Sequence, residues 1–228
     1  MRYLKNKYAI FFLIIILTLI VLMLYLSSNR IAVYFFSKIY NIDIAYKNLK
    51  GSYFKDFMFE NLSVIDRKNG LGFFSKSASI RPGAEIVFYL RDVHFIKKGD
   101  EPATAYDNLS GLVSIPFSSR WTYKDISGKV RPSRIGIDVN GLIATSDDVK
   151  LSLTGSIYSD NTIKSDIVIY FSDKLIKKMP EELSKVIMRD ENDGWRSLSV
   201  KLEGNYNMPS IQVSGKLFRL NIGVASES

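Results

Sequence analysis

The chain of 228 residues has no cysteine, a single histidine, two tryptophans and six prolines. Without cysteine there can be no disulfide, no thiolate zinc site and no lipid-modified cysteine. One histidine leaves little for a histidine-rich metal site or a Ser/His/Asp triad. That residue, His94, sits between Val93 and Phe95 and reads as a strand residue rather than a base. Phosphate loops and dinucleotide fingerprints are missing. Asp147-Asp148 stands where a hairpin turn is expected, and turn chemistry accounts for it. Asp190, Glu191 and Asp193 form an acidic cluster, read as a solvated loop in preference to a cation site. Two sequons, at Asn61 and Asn108, matter only in a eukaryotic secretory pathway. No catalytic residue, cofactor or metal is expected, and the chain reads as a non-enzyme.

Charge is also missing from one long stretch. Tyr8 to Leu26 reads YAIFFLIIILTLIVLMLYL, nineteen residues without a charge. At 1.5 Å per residue that makes about 28 Å of helix, enough for the hydrocarbon core of a bilayer. A cleaved signal peptide is the competing reading. It would have a shorter apolar region and a small-residue cleavage site, whereas SSNRIAVYFF follows here. An uncleaved transmembrane helix over 8–27 is therefore expected. Arg2, Lys5 and Lys7 precede it with no acid among them, which places residues 1–7 in the cytoplasm and the rest beyond the membrane. Those three cations carry part of the net charge of +8, so the remainder is only mildly basic. No dense Lys/Arg cluster suggests a nucleic-acid partner.

Residues 28–40 are expected to continue as a juxtamembrane helix. Tyr34, Phe35, Phe36 and Tyr40 suit headgroup depth, and packing on the following domain is the equal alternative. From 41 to 222 the period becomes two, the mark of antiparallel strands with one dry and one wet face. Phe57 and Phe59 occupy one phase and Leu62 and Val64 the other, the slip a β-bulge produces. Lys68-Asn69-Gly70 signals a type I′ hairpin. In the second half the apolar faces are Ile135/Ile137/Val139, Leu151/Leu153/Ile157, Ile163/Ile167/Ile169/Phe171, Leu198/Val200/Leu202/Tyr206 and Ile211/Val213/Leu217. A helical insertion is expected over 172–190, capped by Ser172 with Leu175, Met179, Leu183, Val186 and Ile187 inward. Pro180 lacks an N–H and should kink it or split it in two. Residues 223–228 are a tail.

A short signature recurs: apolar, polar, glycine. It ends at Gly111, Gly128, Gly141, Gly155, Gly204 and Gly215. Glycine inside strands weakens a sheet and often marks a bend, so repeated use suits a curved sheet. Gly51-Ser52-Tyr53-Phe54, Asn61-Leu62-Ser63-Val64 and the Gly204 to Pro209 turn, behind one anchor, resemble the AsmA-like family of bacterial envelope proteins. Its motifs are short and degenerate. The resemblance implies an inner-membrane anchor and a periplasmic, taco-like β-groove that shields lipid acyl chains, as in AsmA- and TamB-type bridge-like carriers. No catalytic residue carries over. This chain is short for a bridge across an envelope. The type II secretion protein N family shares the plan of one anchor and a β-domain, and implies instead a component of a secretion or envelope assembly.

The expected architecture is thus mainly β, with one transmembrane helix, a curved antiparallel sheet and one helical insertion. On the carrier reading, Leu151, Leu153, Ile157, Ile167, Ile169, Phe171, Leu198, Val200 and Leu202 line the groove. The same residues would equally form an ordinary core. Expected partners are membrane lipids, with other envelope or secretion proteins or further copies of the chain as alternatives.

Overall fold

Alternation of apolar and polar side chains builds one antiparallel sheet. A computed structural model describes residues 30–39, 41–51, 56–68, 70–96, 115–118, 121–205, 209–217 and 219–222. The strands are β1 (Ile42–Ala45), β2 (Asn48–Lys50), β3 (Phe57–Asp66), β4 (Gly72–Arg81), β5 (Ile86–Ile96), β6 (Thr122–Ser133) and β7 (Gly136–Thr145). They continue as β8 (Val149–Tyr158), β9 (Thr162–Ser172), β10 (Arg189–Glu191), β11 (Trp195–Asn205), β12 (Ser210–Ser214) and β13 (Arg219–Ile222). Together they form one open, curved, 13-stranded sheet in the order β1-β3-β4-β5-β6-β7-β8-β9-β11-β12-β13. Short strands share a neighbour twice: β1 and β2 both lie along β3, and β10 and β12 both lie along β11. Beyond the hairpin of β11 and β12, β13 adds one more strand along β12.

Among the described residues no helix is long and apolar enough to cross a membrane. The expected span at 8–27, the N-terminus 1–7 and the tail 223–228 lie outside them. So do Gly111 and the sequon at Asn108. Residues 30–39 are helical and lead directly into β1.

The expected slip in β3 turns out to be shared by four strands. The ladders pass from Glu60↔Ser77 to Leu62↔Ser75, from Ser77↔Arg91 to Ser75↔Val93, and from Arg91↔Asp125 to Val93↔Tyr123. Asn61, Lys76, Asp92 and Lys124 are left in one row without ladder partners. On either side of that row the buried residues are three apart instead of two: Phe59/Leu62, Ser75/Ala78, Leu90/Val93 and Tyr123/Ile126. No strand gains a residue over its neighbour, so this is a crease and not the single-strand bulge that β3 alone suggests. Asn61 and Asp92 take φ values of 53° and 49°, which these two residue types tolerate better than most. The buried Ser75 hydroxyl spans the break, 2.7 Å from the Ser77 carbonyl and 2.9 Å from that of Arg91.

Beyond the crease, two register shifts bend the sheet further, between Ser127 and Lys129 in β6 and between Val139 and Leu142 in β7. Gly128 and Gly141 of the repeated signature occupy them. Gly141, at φ 63°, has the left-handed backbone that glycine adopts at least cost. The hairpin at 67–70 departs from its expected form. Asp66 N–H donates to the Leu71 carbonyl at 2.8 Å, which makes a four-residue loop rather than a two-residue type I′ turn.

One end of the sheet is capped. There the chain enters β1 from the helix at 30–39, and there the segment between β5 and β6 forms a 3-10 turn at Ile115–Phe117. The connection from β9 to β11 also lies there. It is split at Pro180 into two short helices, α1 (Asp173–Ile176) and α2 (Glu181–Ile187). Ser172 caps α1 by accepting from Leu175 N–H at 3.3 Å. Leu175, Ile176, Met179, Ile187 and Met188 join the sheet in one apolar cluster, and Tyr123 donates to the Pro116 carbonyl at 2.8 Å. Burial raises the Tyr123 pKa above its ordinary value. Val186, expected to share the inward face, is exposed, because α2 turns the side that carries Ser184 and Ile187 to the core. The insertion also ends earlier than 190, since Arg189 already pairs with Ser197.

Candidate functional site

The nine groove candidates fall into rows that cross β8, β9 and β11. Leu151, Ile169 and Leu198 form one row, with Val149 and Phe171 paired just above it. Leu153, Ile167 and Val200 form the next and continue to Val213 of β12. Below lie Gly155, Ser165, Leu202 and Ile211, and last come Ile157, Ile163 and Gly204. Burial of the large apolar side chains falls down these rows, while Ser165 in the third row stays buried. Leu151, Ile169, Phe171 and Leu198 are buried, as are Ile167 and Val200, in one cluster with the apolar side chains of the cap. Leu153 and Leu202 are half-buried, and Ile157 is 44 % exposed. Six of the nine candidates therefore belong to a packed core, and three remain at its open margin.

Other strands supply residues to that margin. Phe57, Ile80 and Phe88 are only partly buried against the cluster, and Ile137 is exposed. From the Leu153 row to the Ile157 row is four residues along a strand, about 13 Å of apolar wall. Sequence reading named Leu153, Ile157 and Leu202. It missed the first-half wall because the crease scrambles the alternation there. The signal was present in Phe57 and Phe59, on the far side of Asn61 from Leu62 and Val64.

Two local details mark the site. Ser165 faces the dry side, is 5 % exposed, and its Oγ is the buried side-chain atom without a hydrogen-bond partner among the described residues. Opposite it stands Gly155, where a Cβ would come within 2.5 Å of both Ser165 Cβ and the Lys164 carbonyl. The close approach of β8 and β9 at this level therefore requires glycine. The chemistry available is apolar contact and one hydroxyl, with no nucleophile–base pair.

The wet face is a different surface. A shallow depression of about 380 Å³ lies over β3, β4 and β5, lined by Lys50, Met58, Glu60, Ser77, Tyr89 and Arg91 among others. Its charges already have partners: Lys50 lies 3.7 Å from Glu60, and Arg91 Nε donates to Tyr89 Oη at 3.2 Å. Tyr89 in turn donates to Asp125. His94 lies in β5 with its ring 5.0 Å from that of Phe74. Among the described residues no three metal-ligating side chains converge, and Glu191 accepts a hydrogen bond from Ser197 at 2.6 Å. Comparison with protein-family models, with curated proteins and with solved structures finds no match.

Proposed function

We propose that this chain is a membrane-anchored envelope protein whose β-domain accommodates the end of a lipid acyl chain at the open margin of its apolar interior. The observation that carries this reading is the burial gradient from the sealed Leu151–Ile169–Leu198 row to the exposed Ile157. Apolar residues in register at the mouth of a core favour an apolar occupant, since burying them releases about 25 cal/mol per Å². The depth of about 13 Å suits part of one chain and not a continuous conduit. The resemblance to AsmA-like proteins supports a lipid ligand, an inner-membrane anchor and a periplasmic domain, but the extent of packed core argues for holding lipid and against bridging.

Native mass spectrometry of the detergent-purified full chain, with lipid extraction, tests this. Bound phospholipid is expected in the wild type and should be lost in Ile157→Glu and Leu202→Glu, with thermal unfolding close to wild type. Equal lipid in all three proteins would assign it to the anchor and sink the proposal. A second reading, a component of a secretion or envelope assembly, has its own support. The sheet order ends on short strands, β1 and β13, and such edges accept strands from partners. Cross-linking that captures envelope proteins through β13, with no retained lipid, would favour it.

A further inference from the structure

The helix at 30–39 has an unusual surface for one that leads into a folded domain. Val33 packs against the core, while Tyr34, Phe35, Phe36 and Ile39 point outward, Phe35 58 % and Ile39 72 % exposed. Tyr34 and Phe35 pack edge to face at 6.0 Å, and Lys38 Nζ lies 5.9 Å from the Tyr34 ring. The helix therefore exposes three aromatic rings and Ile39, two of the rings in contact and one of these edged by a cation. Ser37 ties the helix to the sheet by donating to the Ile42 carbonyl at 2.6 Å. Beside it, Arg67 N–H donates to the Asn41 carbonyl at 3.3 Å, which brings the β3–β4 hairpin and its exposed Leu71 to the same corner.

We infer that this corner is seated in the headgroup layer of the membrane the chain itself is expected to cross. The occupant is fixed by chain length. The uncharged run ends at Leu26, and only Ser27, Ser28 and Asn29 separate it from the helix. At most about 3.6 Å per residue, three residues cannot hold the helix far from the bilayer surface. Aromatic rings with a neighbouring lysine are the composition that settles at that depth, with apolar side chains about 5–10 Å into the boundary. A seated helix makes the capped end of the sheet face the membrane and turns the open margin at Ile157 away from it. The inference rests on the expected anchor and not on the acyl-chain reading.

The absence of cysteine permits a direct test on the full chain. Single replacements Phe35→Cys, Ile39→Cys, Leu71→Cys and Ile135→Cys, the last in the exposed β6–β7 turn at the opposite end, are nitroxide-labelled and reconstituted into phosphatidylcholine/phosphatidylglycerol vesicles. Collision with oxygen and with a water-soluble nickel chelate is then compared. Labels at 35, 39 and 71 should meet oxygen readily and the chelate several-fold less often than the label at 135. Chelate collision at 35 and 39 equal to that at 135 would overturn the inference. Circular dichroism of each labelled protein verifies the fold, and an unfolded variant is replaced by a label at the neighbouring Phe36. Lipid retention is read separately: lost lipid with seated labels sinks the acyl-chain reading alone, and retained lipid with wet labels sinks this one alone.

Discussion

The two ends of the sheet are built from the same kind of strand and differ in what lies over them. At the capped end, short helices, a 3-10 turn and the leading helix cover Val93, Val149, Phe171 and Leu198 so completely that they are solvent-free. At the other end the described connections are tight turns, and among the described residues nothing broad covers a face there. Arg134-Ile135 joins β6 to β7, and residues 159–161, with Asn161 at φ 64°, join β8 to β9. Period two makes a face dry in composition at both ends. Only a covering layer makes it dry in fact.

Core truncation should break this comparison most visibly. Phe171→Ala at the capped end is expected to cost about 3–5 kcal/mol, and Ile157→Ala at the open end less than about 1 kcal/mol, by urea unfolding of the full chain in detergent. Equal costs would mean that the open margin is covered in solution. The crease is the next most sensitive place. Ser75→Ala leaves the Ser77 and Arg91 carbonyls short of a buried donor, and a loss of about 1–3 kcal/mol is expected in the same assay. A neutral result would show that water reaches the break.

Smaller and opposite in sign is Ser165→Ala, which removes an unpartnered buried hydroxyl and should raise stability by about 1 kcal/mol. A drop of that size would instead mean that the hydroxyl is satisfied in solution.

The smallest effect concerns acid. A hydrogen bond from Arg81 holds the Asp56 carboxyl below its ordinary value, and one from Thr162 does the same for Asp160, both at the open end. A depressed folded-state pKa gives stability that is complete above the unfolded value near 3.8 and is lost as pH falls below it. Unfolding midpoints should therefore decline slightly more in wild type than in Asp56→Asn as pH falls from about 5 to about 3, a range that brackets the unfolded carboxyl. Parallel curves would remove Asp56 as a contributor.

How much of this was visible in the residues follows from the same contrast. In β8, β9 and β11 the alternation runs unbroken, so the faces of Leu151, Ile169 and Leu198 could be assigned directly, and Pro180 announced the split between α1 and α2. In β4 the crease passes between Ser75 and Ala78, both too small to mark a face, and in β6 it passes through Tyr123-Lys124-Asp125-Ile126, which resembles a helical spacing. Which candidates would be sealed was not legible at all. That depends on which end of the strands the helices pack over, a long-range fact that no local pattern encodes.

The crease also constrains how such a chain can change over generations. Because Asn61, Lys76, Asp92 and Lys124 step out of the ladder in one row, adding or losing a residue in one of these strands would put its inward side chains out of phase with those of its neighbours. A viable length change in one of these four strands therefore needs a matching change in the others, whereas the loops between them can change size without disturbing the phase.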